Sequence, residues 1–153
     1  MSRRLRICLL AIGVGVSLAL TSLACLFMVV GQGFGSARSP TRVYADEAWT
    51  DTGVDVEVGD LLTIEYISGE WSPWPGSSYD ALGFGGDPRC DCNVILGVSH
   101  AALIGRIGEG RPFFVGADYS GTVGEAGRVL LGINDTRLED NSGRIRVRVE
   151  VER

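Results

Sequence analysis

GINDTRLEDNSGRIRVRVEV, residues 132–151, joins two strand patterns through an unusual loop. Ile145, Val147, Val149 and Val151 alternate with Arg144, Arg146, Arg148 and Glu150. Successive side chains of a strand point to opposite faces, so this period of two predicts a strand with one buried and one solvated face. Upstream, RVLLGI at residues 128–133 is a short apolar run of the kind a buried strand carries. Between the two lie Asn134, Asp135, Glu139, Asp140, Asn141 and Ser142, three of them acidic. An ordinary turn needs only one or two such residues. Crowded carboxylates repel each other, whereas a hard cation such as Ca²⁺ collects 6–8 oxygen ligands from carboxylates, amides, carbonyls and water. The plain alternative is a soluble turn rich in residues that hydrogen-bond their own backbone. An EF-hand is excluded, because Arg137 stands two residues after Asp135 and no helix flanks the loop. Asn134-Asp135-Thr136 also spells a glycosylation sequon, a triplet common by chance.

Outward from this loop the chain reads as strands and Gly-rich turns. Val54, Val56 and Val58 alternate with polar residues, Gly59-Asp60 turns the chain, and Leu62, Ile64 and Tyr66 resume the alternation. AALIGRI at residues 101–107 and PFFV at 112–115 are further apolar runs. No stretch after residue 44 has a helical period, so the pattern predicts an all-β sandwich. Residues 72–98 break the rhythm. They are rich in Pro and Gly, with no strand pattern before Asn93-Val94-Ile95-Leu96. A loop this long in a small domain is commonly functional or disordered, and Trp71, Trp74, Tyr79 and Phe84 argue against disorder. Trp71, beside a strand, reads as a plug for the core. Trp74 and Tyr79 suit either packing or stacking against a sugar ring.

Residues 7–31 contain no charged side chain. That run exceeds the roughly 20 residues that span a bilayer and the roughly 7–15 of a signal-peptide core. Arg3, Arg4 and Arg6 before it predict an N-terminus in the cytosol and a domain outside. The expected organisation is a basic tail at 1–6, a transmembrane anchor at 7–31, a Gly/Ser/Pro-rich linker at 32–44 and the folded domain at 45–153. A cleaved signal peptide with secretion is the alternative, with residues 35–37 as the cut. A lipoprotein fits less well, because Ser22 precedes Leu23-Ala24-Cys25 and the run stays apolar after Cys25.

The formal net charge of −5 argues against nucleic acid and against anionic headgroups as partners. Cys8 and Cys25 fall in the apolar run and read as small hydrophobes. Cys90 and Cys92 form a C-x-C pair in the exported part, where disulfides persist. They read first as a local disulfide or free pair, with a disulfide to a partner as the alternative. Two thiolates fall short of a structural zinc site, even with His100 nearby.

No catalytic set assembles, and the reading is non-enzymatic. His100 is the only histidine and stands beside an apolar run, so it reads as a core or edge residue. There is no G-x-S-x-G, H-E-x-x-H or phosphate-binding loop. Paired carboxylates for glycoside cleavage exist only as neighbours on a loop, whereas such pairs stand about 5–10 Å apart across a cleft.

Taken in order, AWTDTGVDVEVGDLLTIEYISGEWS, ALIGRIG, PFFVG and LGINDTRLEDNSGRIRVRV resemble the LecA-like (PA-I type) calcium-dependent galactose-binding lectins. The likeness spans residues 45–151. It implies a small antiparallel β-sandwich of the galactose-binding-like, jelly-roll type, with one Ca²⁺ at its end and a carbohydrate completing the ion's shell. By position, Asp135 corresponds to the acid that touches both ion and sugar. Asp140 and Asn141 correspond to two consecutive amide ligands, Glu139 or Leu138 to a backbone carbonyl, and Pro73 or Trp74 to another. Trp74, Tyr79, Asp80 and Asp87, with Arg89 and Asp91, are sugar-side candidates by location. Two features depart from those lectins. The loop from Asp135 to Asn141 is shorter, and GGDPRCDCN (residues 85–93) replaces a loop that supplies sugar-contacting His and Gln. The resemblance thus implies a carbohydrate-binding module, with a metal-free interaction domain as the alternative.

Overall fold

The computed structural model describes residues 39–86 and 91–153. The basic tail, the apolar run and most of the expected linker lie outside the described residues. No helix long and apolar enough to cross a membrane occurs among the residues described.

Eight strands make two antiparallel sheets. They are β1 (Thr41–Tyr44), β2 (Thr50–Val56), β3 (Leu61–Ser72), β4 (Leu103–Ile107), β5 (Phe113–Phe114), β6 (Asp118–Thr122), β7 (Gly127–Ile133) and β8 (Ser142–Glu152). One sheet has the order β1-β8-β3-β6 and the other β2-β7-β4-β5. Two such sheets sharing one core are the arrangement of a β-sandwich.

The alternation of β8 places Ile145, Val147 and Val149 in the core, while Arg144, Arg146 and Arg148 stay in solvent. Facing them from the other sheet are Val54, Val56, Leu103, Val129, Leu131 and Ile133. Burying such side chains stabilises the fold by about 1.5–3 kcal/mol each before conformational entropy is counted.

β3 pairs with β8 along its whole length, from Leu61 opposite Glu152 to Ser72 opposite Ser142. The register shifts once, between Tyr66 and Ser68. One extra residue reverses the in/out phase of the strand. Leu62 and Ile64 point inward before the shift, and Trp71 points inward after it, fully buried. Without this bulge Trp71 would face solvent. Its indole Nε1–H instead donates to the Ala101 carbonyl at 2.9 Å. Gly69 follows the bulge at a close approach of β3 to β8. Its φ is +103°, and a Cβ there would stand 2.6 Å from the Arg144 carbonyl oxygen.

Three expectations need correction. Residues 41–44, assigned to the linker, form the edge strand β1 on β8, with Val43 buried. A single apolar residue in a polar stretch leaves no period to detect. Residues 93–96 are not a strand: Val94 and Leu96 are exposed in a turn-rich loop. Val58 is 68% exposed in the β2–β3 turn, since β2 ends at Val56.

The two bulges predict unequal responses to a methyl group. Gly53 sits in the β2 bulge at φ +72°, with nothing within 4 Å of a Cβ. Gly53→Ala should cost about 1 kcal/mol, the left-handed penalty alone. Gly69→Ala must also displace backbone and should cost about 3 kcal/mol or more. Urea unfolding of both variants checks the difference.

Candidate functional site

The β7–β8 loop and the long β3–β4 loop meet at one end of the sheets, and the side chain of Asn134 is the main tie between them. Asn134 is fully buried. Its Oδ1 accepts from the Ile95 N–H at 2.8 Å. Its Nδ2 donates to the carbonyls of Ile95, Val98 and Ser99 at 3.1–3.2 Å. The amide thus supplies the backbone partners that residues 93–99, lacking a ladder, would otherwise miss. The same burial removes Asn134 as a glycosylation acceptor in the folded domain. Thr136 adds a second tie, donating its N–H and hydroxyl to the Cys92 carbonyl.

This stitching brings Asp135 and His100 together. Asp135 is buried; one carboxylate oxygen accepts from the Arg137 N–H at 2.8 Å, and the other lies 3.7 Å from His100 Nε2. His100 is oriented from behind. The Asn93 Nδ2 donates to the Val98 carbonyl, so its Oδ1 is left to accept from His100 Nδ1 at 2.8 Å. Nδ1 thus carries a proton toward Asn93, and Nε2 faces the Asp135 carboxylate. A proton on Nε2 or a bound cation would each answer the carboxylate's charge there.

An open pocket of about 170 Å³ lies over these groups, lined by Pro73, Trp74, Cys92, His100, Asp135, Arg137 and Asp140. Trp74 is half-buried and stacks on His100, with centroids 5.8 Å apart and planes at 13°. Phe84 meets Trp74 edge-on, and Tyr79 packs against both. One wall of the pocket is therefore aromatic and rigid, and the other is charged.

Of the expected ligands, Asp135 and Asp140 reach the pocket. Asn141 is buried beside them, its Nδ2 donating to the Ala45 carbonyl at 3.1 Å. Its Oδ1 is buried without a hydrogen-bond partner among the described residues. A buried acceptor left unmatched costs about 1–3 kcal/mol, and a bound cation is one thing that would satisfy it. Glu139 is exposed and outside the pocket wall. The Trp74 carbonyl accepts from the hydroxyls of Ser72 and Ser77 and the N–H of Ser77, so it is engaged within its own turn. Pro73 is buried in the pocket wall. No group of three or more His, Cys, Asp or Glu side chains is placed to hold a metal among the described residues. A cation here would lean on amide and backbone oxygens, as Ca²⁺ does.

Of the expected sugar-side residues, Trp74 and Asp135 line the pocket, while Tyr79 stands behind Trp74. Asp80 is exposed and occupied in its own turn, accepting from the Leu82 N–H at 2.8 Å. Asp87 and Cys90 lie outside the described residues. Cys92 is disulfide-bonded, with its sulfur 3.5 Å from His100 Nδ1. Sequence reasoning missed His100 and Arg137 as pocket residues. His100 stood next to an apolar run, and its orienting partner Asn93 could be paired with it only by the loop's path.

No family model and no curated protein matches this chain. Among solved structures, it is similar to one described as "EclA N-terminal domain; PllA-like lectin". The likeness has a TM-score of 0.55 at 26% identity and covers 74% of this chain and 95% of that one. The fold is shared with a lectin domain. That likeness supports the expected all-β architecture.

Ala101 offers a test of how tightly the site is held. It is the only non-Gly residue with positive φ among those described (+61°), and it is fully buried. Its carbonyl receives Trp71, and its N–H donates to the Asn134 carbonyl at 3.2 Å. Ala101→Val, β-branched in a left-handed and buried position, should lower stability by about 3 kcal/mol or more. Ala101→Gly should stay within about 1 kcal/mol of wild type, since relieved strain and added chain entropy offset each other. Thermal melting distinguishes the two.

Proposed function

We propose that the folded domain is a carbohydrate-binding, lectin-like module whose ligand docks in the pocket of Trp74, His100 and Asp135. One observation carries the reading: a fixed aromatic face and a buried carboxylate meet in an open pocket, on a fold shared with a lectin. The Trp74 ring offers an apolar surface to the C–H face of a sugar. Asp135 offers acceptors to its hydroxyls. We read it as a site that binds its ligand without turning it over: its two carboxyls, Asp135 and Asp140, come from one short loop and not from opposite sides of a cleft.

We further propose that the site takes Ca²⁺, with Asp135, Asp140 and Asn141 among its ligands and backbone carbonyls beside them. The orphaned Asn141 Oδ1 supports this, as does the buried Asp135 carboxylate beside Asp140 in the pocket wall. The ion would supply positive charge that neutralises the loop and polarises ligand hydroxyls. A metal-free interaction domain is the second reading, and Arg137 favours it, since a guanidinium in the pocket wall offsets part of the loop's negative charge unaided.

Calcium titration separates the two readings. Binding to the folded state alone adds about 2.7 kcal/mol of stability at a hundredfold excess over Kd. The melting temperature should rise with millimolar calcium and fall with chelator. Asp135→Asn should remove most of that shift, and Arg144→Ala, on the solvated face of β8, should leave it intact. An unchanged wild-type melting curve would leave only the metal-free reading.

We place the domain outside the cytoplasm, carried by residues 7–31 as an uncleaved anchor. The long uncharged run and the arginines before it support this. N-terminal sequencing of membrane-extracted protein should return the original N-terminus. A mature chain beginning near residue 38 would replace anchoring with secretion.

A further inference from the structure

Arg137 is the one arginine in the wall of the pocket described above. Arg106, Arg128, Arg148 and Arg153 each have a carboxylate partner. Arg137 shares a pocket wall with Asp135 and Asp140, yet forms no ion pair among the described residues. Its backbone is fixed by the N–H donated to Asp135. The side chain is exposed, so it costs little to leave unpaired and is accessible to a ligand.

Resting on the carbohydrate-binding reading above, we infer that the pocket selects acidic saccharides of the uronic acid class, with Arg137 as the specificity-determining residue. A guanidinium is planar and presents paired donors that match a carboxylate in a bidentate manner. A uronic acid carries that carboxylate on the edge of its ring, while the ring's C–H face is free to rest on Trp74. The charge of the pocket points the same way. Asp135 and Asp140 set against Arg137 leave the wall with one net negative charge when His100 is neutral. One bound divalent cation reverses this to one net positive charge. The loaded pocket therefore attracts an anion within a chain whose net charge of −5 otherwise repels it. The preference for acid over neutral sugar belongs to the calcium-bound form.

The test uses the purified full chain in millimolar calcium, with calorimetric titration of matched methyl glycosides. The pairs are galactoside with galacturonide and glucoside with glucuronide. In at least one pair the acid should bind about tenfold more tightly than its neutral partner, the value of one charge-assisted hydrogen bond. At saturating calcium, Arg137→Gln should bring the acid-to-neutral affinity ratio of that pair down to about one, with the melting curve still raised by calcium. Neutral sugars binding as tightly as acids would overturn the inference while keeping the lectin reading, and so would an Arg137→Gln loss shared equally by both. If none of the four glycosides binds, with or without calcium, the inference falls together with the carbohydrate reading.

Discussion

The site depends on one buried amide. Asn134 has no exposed surface, and its side chain makes four hydrogen bonds to the backbone of residues 95–99. Those residues belong to no strand. A loop of this kind can be buried only if its N–H and carbonyl groups find partners. Asn suits the task because one planar group carries both an acceptor and two donors. The geometry of the pocket then follows. Asn134 holds the long loop, the loop carries Asn93, and Asn93 orients His100 toward Asp135, the residue next to Asn134 in the chain. An acid in place of Asn134 would lose the three donated bonds and bury a charge. A leucine would leave the loop backbone unmatched.

The same end of the molecule needs Trp71 to face inward, and that rests on the bulge in β3. The strand's first half is read in one phase and its second half in the other. The extra residue moves Trp71 from solvent to core, where it meets Ala101 and supports the residue after His100. Packing and site are therefore coupled through Ala101. Its strained backbone is held on one side by the indole and on the other by the Asn134 carbonyl.

The strands that could be read in the sequence are those with one clean periodic face. β8 and the first half of β3 alternate without interruption, and β7 and β4 are compact apolar runs. β1 and β6 are short edge strands: β1 fully buries only Val43 and β6 offers only the half-buried Tyr119, so too little apolar pattern emerges. Residues 93–96 failed in the opposite direction. Their apolar side chains suggested a strand, but Val94 and Leu96 stay exposed because the backbone bonds to Asn134 instead of a ladder. In the site, the acidic loop announced itself by composition. His100 and Arg137 did not, because their roles come from where the loops fold and not from any local spacing.

The two ends of β3 treat buried polar groups differently, and the contrast bears on the proposed site. At the Leu61 end, Asp60 is 6% exposed, yet its carboxylate accepts from the Glu57 N–H at 2.9 Å and lies 3.7 Å from Arg153. Its demands are met by the chain itself, as a purely structural turn requires. At the Ser72 end, Asn141 Oδ1 is buried without a partner among the described residues, the Asp135 carboxylate is buried 3.7 Å from His100, and Ala101 sits in a left-handed conformation. Each is a local cost that a turn selected only for stability would avoid. Such costs gather where a protein meets a ligand, because a group already satisfied by its own chain has nothing left to offer. The unmet demands at this end are all for positive charge or a hydrogen-bond donor, and a cation bearing a hydroxylated ligand supplies both.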